Sequence, residues 1–364
     1  MKVGIVGGGQ LGRMLGLAGI PLGIECEFLD SSATAPAAAV GKIHVGQLDD
    51  EAAILSLAQR VSTLTTEIEN ISTAAFSGAA RYCSVAPRPE AVAAAQDRLI
   101  EKTLFRQLGI ETAPFLALSD PGDLDQVSVN ADWPKVIKTR RLGYDGRGQA
   151  VVRSHSELAH AYKNLGAVPS IIEDWIGFDR ELSLIGVRDR AGAIRFYPLC
   201  ENVHINGILS TTVAPYDDSQ LQLQAETSVA RIMNHFDYVG VLTVEFFHTA
   251  GGLVANEMAP RVHNSGHWTI EGAETSQFEN HLRAVTGLPL GSTKVRGCAA
   301  MLNLVSHMPD RPRVLQHEGV HLHDYGKSAR PDRKLGHCTL VDDDRKTLIS
   351  RLEALQSLIV KPNS

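Results

Sequence analysis

Two acids in apolar company are the first chemically telling feature of this chain. Val241-Leu242-Thr243-Val244-Glu245-Phe246-Phe247 and Gly252-Leu253-Val254-Ala255-Asn256-Glu257 read as β-strands, and the residues between them predict a hairpin around His248 to Gly251. Carboxylates in such strands are costly to desolvate without a counter-charge. If five residues, His248 to Gly252, make the turn, Glu245 and Glu257 fall on one face as diagonal neighbours within reach of a common ion, whereas a four-residue turn separates them. Magnesium bridging phosphate oxygens suits such oxygen ligands, and pairing with Arg or Lys elsewhere is the alternative.

Directly downstream, Met258 to Trp268 (MAPRVHNSGHW) concentrates hydrogen-bond donors, as a site for an anion requires. His263 and His267 have i,i+4 spacing, but no Glu follows the first His and Ser265-Gly266 interrupt a helix, so a zinc protease site is not expected. His267 also reads as a structural histidine. Upstream, Gly143-Tyr144-Asp145-Gly146-Arg147-Gly148-Gln149 lies between two short strands, where glycines let backbone amides approach phosphate oxygens. Lys138 and Arg147 add cations that a plain glycine-rich hairpin does not need. Gly7, Gly9 and Gly12 match GxGxxG after a strand, with Asp30 near the place of a ribose-binding acid. The same glycines serve any tight strand-to-helix turn, so a nicotinamide site is one reading and an anion at the helix N-terminus another. Arg330, Arg333 and Lys334 form a basic cluster in a chain of net charge -6, either a phosphate site or a solvated turn.

The elements that must position these groups alternate by region. Lys2 to Val6, a helix to Gly19, a strand ending at Asp30, Ile43 to Val45, Glu51 to Arg60 and Val61 to Ile68 alternate strand and helix, which predicts a parallel doubly wound sheet. Helical periodicity runs from Glu90 through Leu108 and stops at Gly109. A small mixed unit follows, with strands Val136 to Thr139, Ala150 to Val152 and Ser170 to Glu173 and a helix at Ser156 to Asn164. From Glu181 strands dominate, around one helix at Leu221 to Phe236, and an antiparallel platform is expected.

Length and composition bound the class. A chain of 364 residues is expected to fold as two or three packed units, and 44% hydrophobic with 21% charged residues is ordinary for a globular protein. The net charge gives no global attraction to nucleic acid or anionic membrane. Five scattered cysteines without a CxxC pair read as reduced thiols, and no signal-peptide or membrane-span pattern is present, so a cytoplasmic location is expected.

Taken in order, GGGQLGRM, DRLIEKTLF, KTRRLGYDGRGQ, EDWI, RELSLIG, FYPL followed by His204, VEFF, NEMAPRVHNSGHW and RPDRKLGH resemble the 5-(carboxyamino)imidazole ribonucleotide synthases of bacterial purine biosynthesis. The resemblance spans nearly the whole chain, and NEMAPRVHNSGHWT with GYDGRGQ is its most specific part. It implies an α/β and α+β ATP-grasp fold: an N-terminal doubly wound parallel-sheet domain (1–100), a small lid domain (101–176), a larger antiparallel-sheet platform (177–290) and a C-terminal subdomain (291–364).

The resemblance further implies that Arg98, Lys138, the loop Gly143, Tyr144, Asp145, Gly146, Arg147, Gly148 and Gln149, the run Glu173, Asp174, Trp175 and Ile176, and Glu181 and His204 hold ATP. Glu245 and Glu257 would bind Mg2+, with Asn256 assisting. Arg261, His263, Asn264 and Ser265, with Asp145, Arg147 and Lys334, would serve the bicarbonate and carboxyl-transfer end. Gln10, Arg330, Arg333 and Lys334 would hold the ribonucleotide. The implied reaction phosphorylates bicarbonate with ATP and passes the carboxyl group of carboxyphosphate to the exocyclic amine of 5-aminoimidazole ribonucleotide. The implied partners are these small molecules and a second copy of the chain in a homodimer, with no nucleic acid and no membrane.

Overall fold

The computed structural model describes residues 1–143 and 145–360, and these form three sheets. Lys2–Val6 is buried along nearly its whole length and pairs in parallel with Glu25–Asp30 on one side and Thr63–Thr66 on the other. Lys42–Val45 and Ser84–Val85 complete a five-stranded parallel sheet at its two edges. The strand order reverses about Lys2–Val6, which places a crevice at the carboxyl ends of Lys2–Val6 and Thr63–Thr66. Helix Gln10–Gly19 starts there and packs against helix Gln277–Thr286 of the platform. His281 locks the two units: its Nδ1 accepts from the Val241 amide at 3.1 Å, so Nε2 carries the proton that reaches Thr65 Oγ1 at 2.9 Å.

The continuous helix expected from Glu90 to Leu108 is instead two, Pro89–Ala95 and Arg98–Gln107. Asp97 leaves the helical conformation because its carboxylate has better partners. It caps the second helix by accepting from Leu99 N at 3.0 Å, and it receives Arg140 through Nε at 2.9 Å and Nη2 at 2.7 Å. That bridge fastens the start of Arg98–Gln107 to the chain just beyond strand Lys135–Thr139.

The small unit is a four-stranded antiparallel sheet in the order Phe115–Leu118, Ser170–Asp174, Lys135–Thr139, Gln149–Val152. Helix His155–Asn164 covers one face, burying Leu158 and Tyr162 against Ile137, Val152 and Ile172. Each such fully buried side chain is worth about 1.5–3 kcal/mol of transfer free energy.

The large sheet is antiparallel, in the order Gly252–Ala259, Gly240–Thr249, Arg180–Arg188, Cys200–Ile205, Ile208–Ala214, Cys298–Val305, Lys334–Asp342, Val320–Asp324, with Ile194–Phe196 also paired to Arg180–Arg188. The C-terminal strands thus extend the same sheet that carries Glu245 and Glu257. Helix Ser219–His235 packs on one side through Ala225, Val229, Ile232 and Met233. Among the described residues no helix is long and apolar enough to cross a membrane.

The Glu245 hairpin turns more tightly than expected. Thr249 pairs with Gly252, leaving only Ala250 and Gly251 at the tip. With a regular ladder this tip would place Glu257 across from the far face. A bulge between Glu245 and Phe246 shifts the register by one, so Phe246 faces Ala255, Asn256 is the extra residue, and Glu245 lies directly opposite Glu257. The acids are therefore direct cross-strand partners, not diagonal ones.

Candidate active site

One cavity of about 930 Å³ runs between the three sheets. Its roof is the loop after Lys135–Thr139. Asp145 (φ 45°), Gly146 (φ 75°) and Gly148 (φ 72°) hold left-handed backbone there. A Cβ on Gly207 would lie 2.6 Å from Gly146 Cα, so the roof and the turn between Cys200–Ile205 and Ile208–Ala214 touch backbone to backbone. Lys334 Nζ, from the platform, meets Asp145 Oδ1 at 2.8 Å. The roof thus sits on the platform. Tyr144 lies outside the described residues.

The floor is the paired acids. Glu257 has 40% of its side chain open to the cavity and accepts from Arg98 Nη1 at 2.7 Å. Burial opposes its ionisation, but Arg98 and then Lys138 and Lys102 outweigh that and draw it down to about 2. For Glu245 burial is joined by the charge of Glu257, and it is pushed up to about 7. Two carboxylates side by side with unequal proton affinity invite a cation between them. Among the described residues no group of three or more His, Cys, Asp or Glu could hold a metal ion, and the donors that meet here are two carboxylates. That donor set suits magnesium carried on phosphates.

Behind the floor lies a charge network that the sequence did not reveal. Glu173 is 3% exposed and is flanked by Lys138 Nζ at 2.6 Å and Lys102 Nζ at 3.0 Å. Burial opposes its ionisation, yet the two ammonium groups hold it at about 2. Glu101 accepts from Met258 N at 2.7 Å, which fixes the peptide following Glu257. Lys102 and Glu101 lie in the DRLIEK run, where a lysine and an acid on an amphipathic helix look like surface residues. Lys138 also reaches Asn256 Oδ1, at 3.4 Å, from below the roof.

At the hinge end, Glu173, Asp174, Trp175 and Ile176 line the cavity where strand Ser170–Asp174 leaves the small sheet. Phe178 stacks on Phe247 with ring centroids 4.6 Å apart, an apolar wall not expected from the sequence. Glu181 Oε2 and His204 Nδ1 are 2.6 Å apart; burial opposes protonation of this imidazole, but Glu181 prevails and raises its affinity for the proton.

At the other end stand Arg261, His263 and Asn264. Arg261 pairs with Glu69 Oε1 at 2.7 Å, a partner supplied by the N-terminal domain. Asn264 and Asn303 exchange two amide hydrogen bonds, 3.1 and 2.8 Å, and Asn303 also donates to Leu209 O. His263 Nε2 lies 3.5 Å from Glu245 Oε1, and burial, then Arg261 and Lys334, depress its proton affinity strongly.

Gly143, Asp145, Gly146, Arg147 and Gln149 of the roof, with Gln10 and Lys334, also line the cavity. Four expected residues do not. Gly148 packs against Thr139, and Ser265 is fully buried behind His263. Arg330 is exposed and Arg333 half-buried on a turn in which Arg333 donates to Ser328 O and Oγ at 3.2 and 3.0 Å. Lys327, not expected, donates its ammonium to Oε1 of the cavity-lining Gln10. Burial, then Arg333, lowers its pKa to about 8.

The glycine turn Gly7–Gly12 is filled by the protein itself. Glu67 accepts from Gly9 N and Gly12 N, and a Cβ on Gly7 would come within 2.5 Å of the Glu67 side chain. Asp30 accepts from Gly8 N at 3.0 Å. The amides that would cradle a dinucleotide pyrophosphate are thus already occupied by carboxylates, which removes the nicotinamide reading.

A roof loop from a small sheet, a platform bearing paired acids and cations between them define an ATP-grasp enzyme, and the ATP-grasp domain is matched at residues 103–278. The ribonucleotide synthetase preATP-grasp domain matches residues 1–96, and the phosphoribosylaminoimidazole carboxylase C-terminal domain matches 299–351. The N5-carboxyaminoimidazole ribonucleotide synthase of Pseudomonas aeruginosa is 47% identical over 359 residues, 99% of each chain. That of Escherichia coli is 41% identical, covering 98% of this chain and 95% of its own. The crystal structure of the Thermus thermophilus synthetase superposes with a TM-score of 0.93 at 49% identity, covering 100% of this chain and 99% of that one. That of the Aspergillus clavatus synthase in complex with ADP and 5-aminoimidazole ribonucleotide gives 0.92 at 30% identity, with 98% of each chain covered. The chain belongs to the N5-carboxyaminoimidazole ribonucleotide synthase family.

Proposed function

We propose that this enzyme carboxylates 5-aminoimidazole ribonucleotide with bicarbonate at the expense of ATP, through carboxyphosphate, giving 5-(carboxyamino)imidazole ribonucleotide, ADP and phosphate. The observation that carries the reading is the single cavity with paired acids Glu245 and Glu257 beneath a cationic roof, open at one end to Phe178 and Phe247 and at the other to Arg261, His263 and Asn264. The adenine ring lies against the aromatic wall and the hinge residues 173–176. The ATP phosphates lie under Gly143 to Gln149, met by Lys138 and Arg98. Glu245 and Glu257, assisted by Asn256, would hold Mg2+, which would supply neutralisation of phosphate charge.

A bicarbonate oxygen attacks the γ-phosphorus while its bond to the ADP oxygen breaks. Lys138 lies on the side where negative charge gathers and lowers the barrier electrostatically, with no covalent enzyme intermediate. The amine of the ribonucleotide then attacks the carboxyl carbon, phosphate departs and the nitrogen loses a proton. Arg261, oriented by Glu69, and Asn264, held by Asn303, fix the carboxyl end. Lys334 and Asp145 join platform to roof and exclude water from the short-lived carboxyphosphate. Gln10 and the basic turn of Arg330 and Arg333 approach the ribonucleotide phosphate. The working division at about residues 100, 176 and 290, the homodimer and the cytoplasmic location belong to the same proposal, and the domain matches at 1–96, 103–278 and 299–351 support the divisions near 100 and 290.

ADP release by purified protein, with bicarbonate, the aminoimidazole ribonucleotide, ATP and magnesium omitted in turn, tests it. Release that requires all four supports the reading, and release driven by formate and glycinamide ribonucleotide instead overturns it.

A further inference from the structure

Behind His263 a line of buried polar side chains crosses three strands of the platform. Thr212 Oγ1 donates to Asn202 Oδ1 at 2.9 Å, and Asn202 Nδ2 donates to Ser183 Oγ at 2.9 Å. Ser183 Oγ donates to Ser265 Oγ at 2.8 Å, and Ser265 Oγ lies 2.9 Å from His263 Nδ1. All four links are 4% exposed or less, so bulk water cannot supply substitute partners. Cys200 Sγ sits 3.1 Å from Ser183 Oγ, with the Ser183 and Ser265 carbonyls at 3.4 and 3.7 Å to accept its thiol proton.

The line has a direction. An amide oxygen can only accept and an amide nitrogen can only donate, so Thr212 donates to Asn202 and Asn202 donates to Ser183, and the Ser183 hydroxyl in turn donates to Ser265 Oγ. Ser265 therefore donates to His263 Nδ1. An independent bond has the same sense: the Ser265 backbone N–H, which can act only as a donor, points at Nδ1 at 3.3 Å. With Nδ1 accepting twice, the proton of a neutral ring belongs on Nε2, which faces Glu245 and the cavity.

We infer that Ser183, Asn202 and Thr212 are positioning residues that hold His263 as its Nε2–H tautomer, so that the ring meets substrate as a hydrogen-bond donor and serves neither as a proton acceptor nor as a metal ligand through Nε2. The role deepens the proposed carboxylation site, where a donor aimed at the carboxyl end stabilises oxygen charge as it develops. It also assigns work to Ser183, within the RELSLIG run on strand Arg180–Arg188, and to Asn202 and Thr212 on Cys200–Ile205 and Ile208–Ala214, which lie in no motif.

The test is the nitrogen NMR signature of His263 in the full-length protein labelled at histidine nitrogens, with its resonances identified by their loss in His263→Asn. At neutral pH the expected pattern is an unprotonated Nδ1 and a protonated Nε2. A protonated Nδ1, with or without a proton on Nε2, overturns the inference. In Asn202→Asp the carboxylate can only accept, so Ser183 turns to it, Ser265 turns to Ser183, and Nδ1 loses its hydroxyl donor. The His263 nitrogens should move part of the way toward the Nδ1–H pattern, since the Ser265 N–H still faces Nδ1, with kcat falling roughly tenfold or more and the KM for ATP unchanged. Should that variant not fold, Thr212→Val keeps the shape, frees the Asn202 amide, and should move the same nitrogens in the same direction. Loss of activity with unmoved His263 nitrogens would make the line merely structural and overturn the inference. The nitrogen pattern does not depend on turnover, so it stands or falls separately from the ADP-release result.

Discussion

Replacing Glu173 by Gln removes the charge that sits directly between two buried ammonium groups. Lys102 is 1% exposed, Lys138 is 6% exposed, and Glu173 lies within 3.0 Å of both. The folded-state carboxyl is held at about 2 against an ordinary 4.5. That difference corresponds to about 3 kcal/mol of stability at neutral pH. Breaking a buried pair by removing one partner costs about 3–5 kcal/mol, so the two routes agree. Because the folded pKa is depressed, this stability is fully present above the unfolded value and is lost as pH falls toward 2. Urea unfolding followed by tryptophan fluorescence reads it, since Trp133 and Trp175 flank the strands of the small sheet. Glu173→Gln should lower the midpoint strongly at pH 7, and its gap from the wild type should close as pH falls from about 4.5 to about 2. Adding Lys102→Met should recover part of the loss by removing an unpaired ammonium. An unchanged midpoint and ATP affinity in Glu173→Gln, or a gap independent of pH, would refute the reasoning.

Glu257→Gln should abolish most ADP release while the unfolding midpoint moves little, because Arg98 keeps a hydrogen-bond acceptor but the metal loses an anionic oxygen; near-normal magnesium-dependent turnover would remove Glu257 from the metal site. Tryptic cleavage after Arg141 or Arg147 should be suppressed by ATP with magnesium, with Arg140 cut less because Asp97 holds it; equal cleavage with and without nucleotide would count against a closing roof. Lys334→Ala removes both a cation in the cavity and the 2.8 Å bridge to Asp145, and should raise the ribonucleotide KM well above any change in the ATP KM; an unchanged ribonucleotide requirement would exclude it from that end of the site.

Much of this architecture could be read from the chain because local patterns and global fold agree there. The strands Lys2–Val6, Lys135–Thr139 and Gly240–Thr249 all lie within a residue or so of where alternation or apolar runs place them. The break at Asp97 was hidden, since its cause is a partner in another unit, Arg140. Tertiary bonding overrode helical periodicity. The opposition of Glu245 and Glu257 was expected only in the looser diagonal form, because a bulge leaves no compositional mark. Asn303 carries no motif, and Glu101 and Lys102, although within DRLIEKTLF, look like surface residues there; the significance of all three comes from burial and from neighbours distant in sequence. Lys327 stands outside the cluster Arg330 to Lys334 and nothing in the sequence singles it out, although it reaches Gln10.

The bulge at Glu245 and Phe246 imposes a parity on the hairpin. Removing or adding a single residue at the Ala250-Gly251 tip would move Glu257 to the opposite face, unless the extra residue at Asn256 were lost or gained with it. Two-residue changes at the tip would leave the acids facing each other. Tip length and bulge are therefore one inherited character in two pieces of chain. A lineage can lengthen this loop by even steps freely, but an odd step requires a second, simultaneous change a few residues away.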